Sequence, residues 1–261
     1  MPAIVNATKE RLNAGELVVG LGLRIVRTAD IGKIAAVAGQ DFLFIDLEHS
    51  AISLETAAEI SAAALDTGCT PLVRASSHLR HHISRPLDGG AQGIVVPHVD
   101  TAAEARAVAD AALFPPNGHR SVAGGAAQLS YGAVPMAEAT RLLNEQALVV
   151  VMLESPTAIE NADAIAAVEG IDVLLIGTND LCAEMGIPGE YMHDDVAAAY
   201  QHMVAACRRH GKHAGMGGIY DERAERYIDM GVRMVLGGSD IGYLMAGATA
   251  RSAFLKGLVD N

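Results

Sequence analysis

FLFIDLEHS (residues 42–50) opens with four apolar residues and then sets Asp46, Glu48 and His49 within four positions of one another. A run with no polar alternation is buried on both faces, as a strand is in a parallel sheet covered by helices. Ionisable groups are costly to bury. The two halves of the stretch are compatible if the strand stops at Asp46 and the charged cluster stands at its end.

Seven further runs read the same way: LVVGLGL (17–23), TPLVR (70–74), GIVVP (93–97), LVVVMLE (148–154), DVLLIG (172–177), HAGMGG (213–218) and RMVLGG (233–238). Between most of them lie alanine-rich segments of helical spacing, at 31–38, 54–65, 102–112, 196–209 and 221–230. Eight strands alternating with helices close naturally into a (β/α)8 TIM barrel, and 261 residues suit one such α/β domain spanning residues 1–261. The alternative is an open doubly wound sheet. No GxGxxG or P-loop follows the first run, so that alternative lacks its commonest ligand and no nucleotide cofactor is expected. The piece at 114–146 is too long for an ordinary connection and too rich in Gly and Pro for one helix. It is expected to be a lid or an interface element, helical over 136–144.

A formal charge of −12 excludes nucleic acid and anionic membranes as ready partners, and means that an anionic substrate needs a local cationic site. Three widely spaced cysteines without a CxxC pair fit free thiols in a reducing compartment. With no signal peptide or membrane span readable, a cytoplasmic protein is expected.

Barrel enzymes assemble their chemistry where strands end, since only there do side chains of several strands converge on one pocket. The strand ends give Asp46, Glu48 and His49 after the second, Arg74 at the third, Glu154 at the fifth and Asp180 just past the sixth. Glu154 and Asp180 offer two hard oxygen ligands for a divalent cation, or each caps the helix that follows. Arg74 either reaches the pocket as a carboxylate or enolate binder or forms a salt bridge with Asp46. His49 is a general base or a hydrogen-bonded structural histidine. Gly177, Thr178 and Asn179 either present backbone N–H groups to a substrate carboxylate or form a plain βα turn. Arg120 either binds a distal carboxylate of the substrate or pins the long segment. His78, His81 and His82 have the i, i+3, i+4 spacing of a helical metal site, but Arg80 and Arg85 among them favour a solvated or subunit-facing helix.

FIDLEHS, PLVR, LDGGAQGIVVPHV, FPPNGHRS, VMLES and IGTNDL, in this order, resemble the metal-dependent (class II) pyruvate aldolases, the family of 4-hydroxy-2-oxoheptanedioate and 2-keto-3-deoxy sugar-acid aldolases. The likeness covers nearly the whole chain. It implies reversible cleavage of a 4-hydroxy-2-oxoacid to pyruvate and an aldehyde through a metal-stabilised enolate, with Mg²⁺ or Mn²⁺, or else Co²⁺ or Zn²⁺, on Glu154 and Asp180. It implies that Arg74 faces the oxygen that becomes the enolate, that His49 is the base and is linked to Asp88, and that Asp46 supports Arg74 and the metal-bound waters. LDGG precedes the fourth strand, at the opposite end of the barrel from His49, so such a link needs a second subunit. The resemblance points to a hexamer with shared active sites and the C-terminal helix at an interface. Cys182 stands where the family more often has Ser or Ala, which leaves the acceptor pocket open.

The four lysines lie near the termini (Lys9, Lys256), on the first barrel helix (Lys33) and at the wrong end of the seventh strand (Lys212), so no Schiff base is expected. Rival readings are an acyl-CoA ester lyase of the same barrel superfamily, docking its nucleotide on Arg80 and Arg85, and a barrel that binds without turnover.

Overall fold

All eight apolar runs are strands of one closed parallel barrel, paired in chain order, in the computed structural model, which describes residues 5–259. The strands are β1 (Val18–Leu23), β2 (Phe42–Asp46), β3 (Thr70–Arg74), β4 (Gly93–Val96), β5 (Leu148–Leu153), β6 (Val173–Gly177), β7 (His213–Gly217) and β8 (Met234–Ser239). The helices are α1 (Ala7–Asn13), α2 (Ile31–Val37), α3 (Leu54–Ala64), α4 (Arg80–Asp88), α5 (Ala102–Ala112), α6 (Met136–Gln146), α7 (Pro156–Glu160), α8 (Ala162–Ala166), α9 (Thr178–Glu184), α10 (Asp194–His210), α11 (Ala224–Met230) and α12 (Asp240–Gly257). No helix of the described residues is long and apolar enough to cross a membrane.

Two apolar layers follow from the two faces of each strand. Leu43, Ile45, Val73, Ile94, Val149, Val151, Leu174 and Ile176 face the helices and join their buried stripes. Phe42, Phe44, Leu72, Val95, Val150, Met152, Val173, Leu175 and Met234 fill the lumen. Leu12 of α1 joins this inner layer, so α1 plugs the lower end of the barrel.

Side chains alternate along a strand. Counting by twos from the lumen residues therefore reaches Asp46 after Phe44, Arg74 after Leu72, Glu154 after Met152 and Gly177 after Leu175. The β2–β3 register makes Asp46 and Arg74 direct partners. On β1, β7 and β8 the same count reaches Gly22, Gly217 and Gly238, so one wall of the upper lumen carries no side chains and is hollow.

Three readings that the sequence leaves open are narrowed. The segment 114–146 joins the lower end of α5 to the lower end of β5 and lies beneath the barrel; Gln128 Nε2 donates to the carbonyls of Leu87 and Ala91 at 2.7 and 2.9 Å. It is no lid over the mouth of its own chain. Helix α4 starts at Arg80, so His78 is outside it and the helical triad of histidines does not form. His78 instead donates from Nε2 to the carbonyl of Pro97 at 2.5 Å, and His82 Nδ1 lies 2.7 Å from the Ser77 hydroxyl. Cys182 is buried in the outer core, as Cys69 and Cys207 are, and does not shape the acceptor side.

Candidate active site

Asp46, at the end of β2, is the hub of the mouth. It takes Arg74 in a two-point clasp, Nε–Oδ1 at 3.0 Å and Nη2–Oδ2 at 2.6 Å, and accepts the backbone N–H groups of Glu48 and His49 on Oδ1, each at 3.0 Å. Arg24 Nε adds a bond to Oδ2 at 3.2 Å. Burial alone pushes the Asp46 carboxyl up, but the hydrogen bonds and charge of Arg74, with the two backbone N–H groups, outweigh it and hold Asp46 below the usual carboxylate range. The two readings of Arg74 are both realised: the salt bridge exists, and the guanidinium lines the cavity.

Glu48 reaches back over the same arginine. Its Oε2 pairs with the Arg74 guanidinium, 2.9 Å from Nη1, without a hydrogen bond of good geometry. Its Oε1 lies 3.4 Å from His98 Nε2, and His98 Nδ1 lies 3.3 Å from Glu154 Oε2. His98 follows β4 with φ +52°, a left-handed conformation that histidine adopts more readily than most residues. That turn aims its backbone N–H at Glu154 Oε2, 2.8 Å away.

Glu154 is 3% exposed, and its carboxyl is pushed up to about 7: burial drives it, the charges of Asp180 and Glu48 add to it, and the N–H and ring of His98 oppose it. Glu154 does not cap α7; the Ser155 hydroxyl does, accepting from Ala158 N at 3.0 Å. Asp180 does not cap α9 either, since Gly177 is the N-cap and Asp180 stands in the first turn. With neither acid used as a cap, both are available to a ligand. A Cβ on Gly177 would fall 2.4 Å from Glu154 Oε1, so only glycine leaves this carboxylate its place.

A cavity of about 260 Å³ lies over these groups, lined by Arg24, His49, Arg74, Asn179, Asp180 and the glycines of β6 and β7. His49 stands on its rim, half-exposed, with Nε2 3.9 Å from Glu48 Oε2. Thr178 turns inward: its hydroxyl donates to the carbonyl of Gly217 at 2.6 Å and meets Tyr200 Oη at 2.8 Å. Its side chain is therefore structural, and at Thr178 only the backbone can face a substrate, while Asn179 lines the cavity. Four carboxylates against two arginines leave the mouth short of positive charge. Among the described residues no three His, Cys, Asp or Glu side chains gather as a metal cage. Glu154 and Asp180 are two oxygen donors, and that set suits a cation that keeps water and substrate as its remaining ligands.

Asp88 and Arg120 are placed elsewhere. They pair with each other under the barrel, Arg120 Nη2 to Asp88 Oδ1 at 2.5 Å, with the guanidinium 4.4 Å above the Phe114 ring. In a single chain Asp88 does not meet His49, and Arg120 holds the long segment instead of facing the cavity.

The match to a family model described as HpcH/HpaI aldolase/citrate lyase spans residues 26–246. The chain belongs to this family. It is 44% identical over 225 residues, 85% of the chain and 83% of the relative, to a 4-hydroxy-4-methyl-2-oxoglutarate aldolase, tasA, of Hapsidospora irregularis. It is 35% identical over 92% of its length, and 90% of the relative's, to a 4-hydroxy-2-oxovalerate aldolase of Novosphingobium aromaticivorans. The crystal structure of an HpcH/HpaI aldolase from Desulfitobacterium hafniense DCB-2 superposes with a TM-score of 0.89 at 31% identity, covering 95% of this chain and 96% of that one. Membership of the HpcH/HpaI family makes the chain a lyase of the aldolase kind.

Arg24, Glu48 and His98 join the mouth without having been assigned a role from sequence. Arg24 and His98 follow β1 and β4, so the strand-end rule that found Asp46 and Arg74 reaches them too.

Proposed function

We propose that the chain cleaves a 4-hydroxy-2-oxoacid reversibly to pyruvate and a carbonyl compound, with a divalent cation, Mg²⁺ or Mn²⁺, on Glu154 and Asp180. The observation that carries this reading is Glu154: a buried carboxylate, facing the charges of Asp180 and Glu48, beside a glycine that keeps its place open. When bound, the cation supplies Lewis-acid stabilisation of the negative charge that reaches the 2-oxo group as the C3–C4 bond opens.

The chain's own groups then have distinct tasks. Arg74 cannot swing away, because Asp46 clasps one edge of its guanidinium at two points and Glu48 Oε2 lies 2.9 Å from Nη1. It donates to the substrate oxygen that gains charge. The backbone at 177–179, at the uncapped start of α9, faces the substrate carboxylate. His49 removes the proton from the C4 hydroxyl; the C3–C4 electrons move toward C2, and pyruvate forms once C3 takes a proton. In the reverse direction His49 returns the proton to the new hydroxyl.

The active unit is an oligomer, a hexamer with shared sites on the family pattern. Helix α12 supports an interface: among its described residues only Asp240 is buried, while Ile241, Tyr243, Leu244, Met245, Phe254 and Leu255 are exposed. An apolar surface of that size is characteristic of a contact face. A partner's Asp88 end could then approach His49, which no single chain allows.

Treatment with chelator should abolish pyruvate release from 4-hydroxy-4-methyl-2-oxoglutarate, and Mg²⁺ or Mn²⁺ should restore it. Full turnover by metal-free protein would sink the reading.

A further inference from the structure

We infer that Arg24 reads a second carboxylate on the substrate, on the half released as the carbonyl product, and so makes the enzyme selective for dicarboxylic 4-hydroxy-2-oxoacids. The inference rests on the aldolase reading above and adds the residue that decides which substrates are taken.

The two arginines of the mouth differ in what they have left to give. Arg74 is almost wholly buried and spends Nε and Nη2 on Asp46. Arg24 spends only Nε, on Asp46 Oδ2 at 3.2 Å; among the described residues neither of its Nη atoms has a partner, and its side chain is 44% exposed. The Nη edge of a guanidinium is a matched fork for a carboxylate.

Its position fits a ligand that extends beyond the reacting carbons. Arg24 lines the inner cavity with His49, Arg74 and Asp180, and it also lines a second compartment of about 390 Å³ beside it. Phe44, Asn179, Gly218 and Leu236 border both as well, so the two compartments adjoin through one throat with Arg24 on its wall. The outer compartment is open because Gly22 and Gly238 hold its floor; a Cβ on Gly22 would meet the Gly238 carbonyl at 3.0 Å. The other cation there is committed: Arg223 is clasped by Asp221, Nε–Oδ1 at 2.9 Å and Nη2–Oδ2 at 2.5 Å, and stacks 5.1 Å over Tyr191.

The turn that carries Arg24 is also fixed. Asp240, buried at the start of α12, accepts the backbone N–H groups of Arg24, Ile25 and Val26 at 3.0, 2.9 and 2.8 Å. A held backbone with a half-free guanidinium is what positioned recognition of an anion requires. In a chain of formal charge −12, that group supplies positive charge where the outer half of an anionic substrate must enter.

The test is the ratio of kcat/KM for two substrates followed by pyruvate release: 4-hydroxy-4-methyl-2-oxoglutarate, which carries the second carboxylate, and 4-hydroxy-2-oxovalerate, which lacks it. Wild type should favour the first. In Arg24→Gln the ratio should fall about 10- to 100-fold, mainly through a higher KM for the dicarboxylate, as for a lost charge-assisted hydrogen bond. Arg24→Lys should recover part of it. Equal losses on both substrates would overturn the assignment while leaving the aldolase reading intact, since Arg24 would then act only by supporting Asp46. A wild type that cleaves neither substrate overturns both.

Discussion

The two ends of the barrel use the same residue types to opposite effect. At the lower end most polar groups close something, although the Oε1 atoms of Gln40 and Gln128 are buried without a hydrogen bond. Asn6 caps α1 and donates to the carbonyls of Gln92 and Gln146 at 3.0 and 2.8 Å. Lys9 reaches the carbonyl of Ala147 at 2.6 Å and Asp172 at 3.0 Å, while Asp172 and Asp41 accept the N–H groups of Val149 and Val19, both at 2.8 Å. At the upper end the acids crowd one another instead: burial and the charges of Asp180 and Glu48 drive Glu154 toward its protonated form. Satisfied polar groups stabilise a fold; groups left in electrostatic conflict mark where a ligand is needed to complete them.

The sharpest way to break this contrast is to relieve the conflict. Glu154→Gln removes a buried acid and one proposed metal ligand together. Pyruvate release should fall about a thousandfold or more, since metal Lewis acidity supplies several kcal/mol of transition-state stabilisation. The thermal midpoint should hold or rise, because a desolvated carboxylate is lost. A midpoint that drops with activity intact would make Glu154 a structural residue.

The next largest effect links the two ends across subunits. His49→Ala should slow turnover about 10²- to 10⁴-fold, the range of a general base. Asp88→Ala should also slow it if a partner's Asp88 completes the site. Mixed oligomers of the two variants should regain activity, because one arrangement pairs an intact His49 with an intact Asp88. No recovery on mixing, with both variants folded, excludes the shared site.

Much of this contrast is legible in the chain. The strands declare themselves because both their faces are buried, and Asp46, Arg74 and Glu154 because a charged residue that continues the lumen-facing count must stand at the mouth. Arg24 obeys the same count but is followed by Ile25 and Val26, which blur the end of the strand; His98 is separated from β4 by a proline. The placement of 114–146 was also implicit, since any segment between a helix and the next strand lies at the lower end. What local pattern could not give was the start of α4: His78 is drawn out of helical register by the carbonyl of Pro97, nineteen residues on. Nor could it show that Arg120 and Asp88 would find each other, which depends on how the long segment folds back.

A lower-end change should show the reverse of the Glu154 pattern. Asn6→Ala deletes a helix cap and removes one donor from the carbonyls of Gln92, which keeps the Leu148 N–H, and Gln146, at a cost of about 1–3 kcal/mol. Denaturant unfolding should register it as a lower midpoint, while kcat and metal affinity stay at wild-type values. A loss of kcat without loss of stability would show that the two ends are coupled.

The finest distinction is made by pH, through two acids of the mouth that shift in opposite directions. Glu154, pushed up from 4.5 to about 7, binds more protons in the native protein than in the unfolded chain between those values. Metal-free stability therefore falls as pH rises through that window, and the fall should be shallower in Glu154→Gln. Asp46, held below its ordinary value, works the other way: its contribution is present above the ordinary carboxylate pKa and is lost only as pH falls through the lower folded value, outside the same window. A cation that needs Glu154 as a carboxylate must displace its proton, so affinity strengthens as pH rises. Mn²⁺ titrated calorimetrically should bind about tenfold tighter at about pH 8 than at about pH 6, with about one proton released at the lower pH. Equal affinity at both, with no proton released, would mean that the cation does not use Glu154.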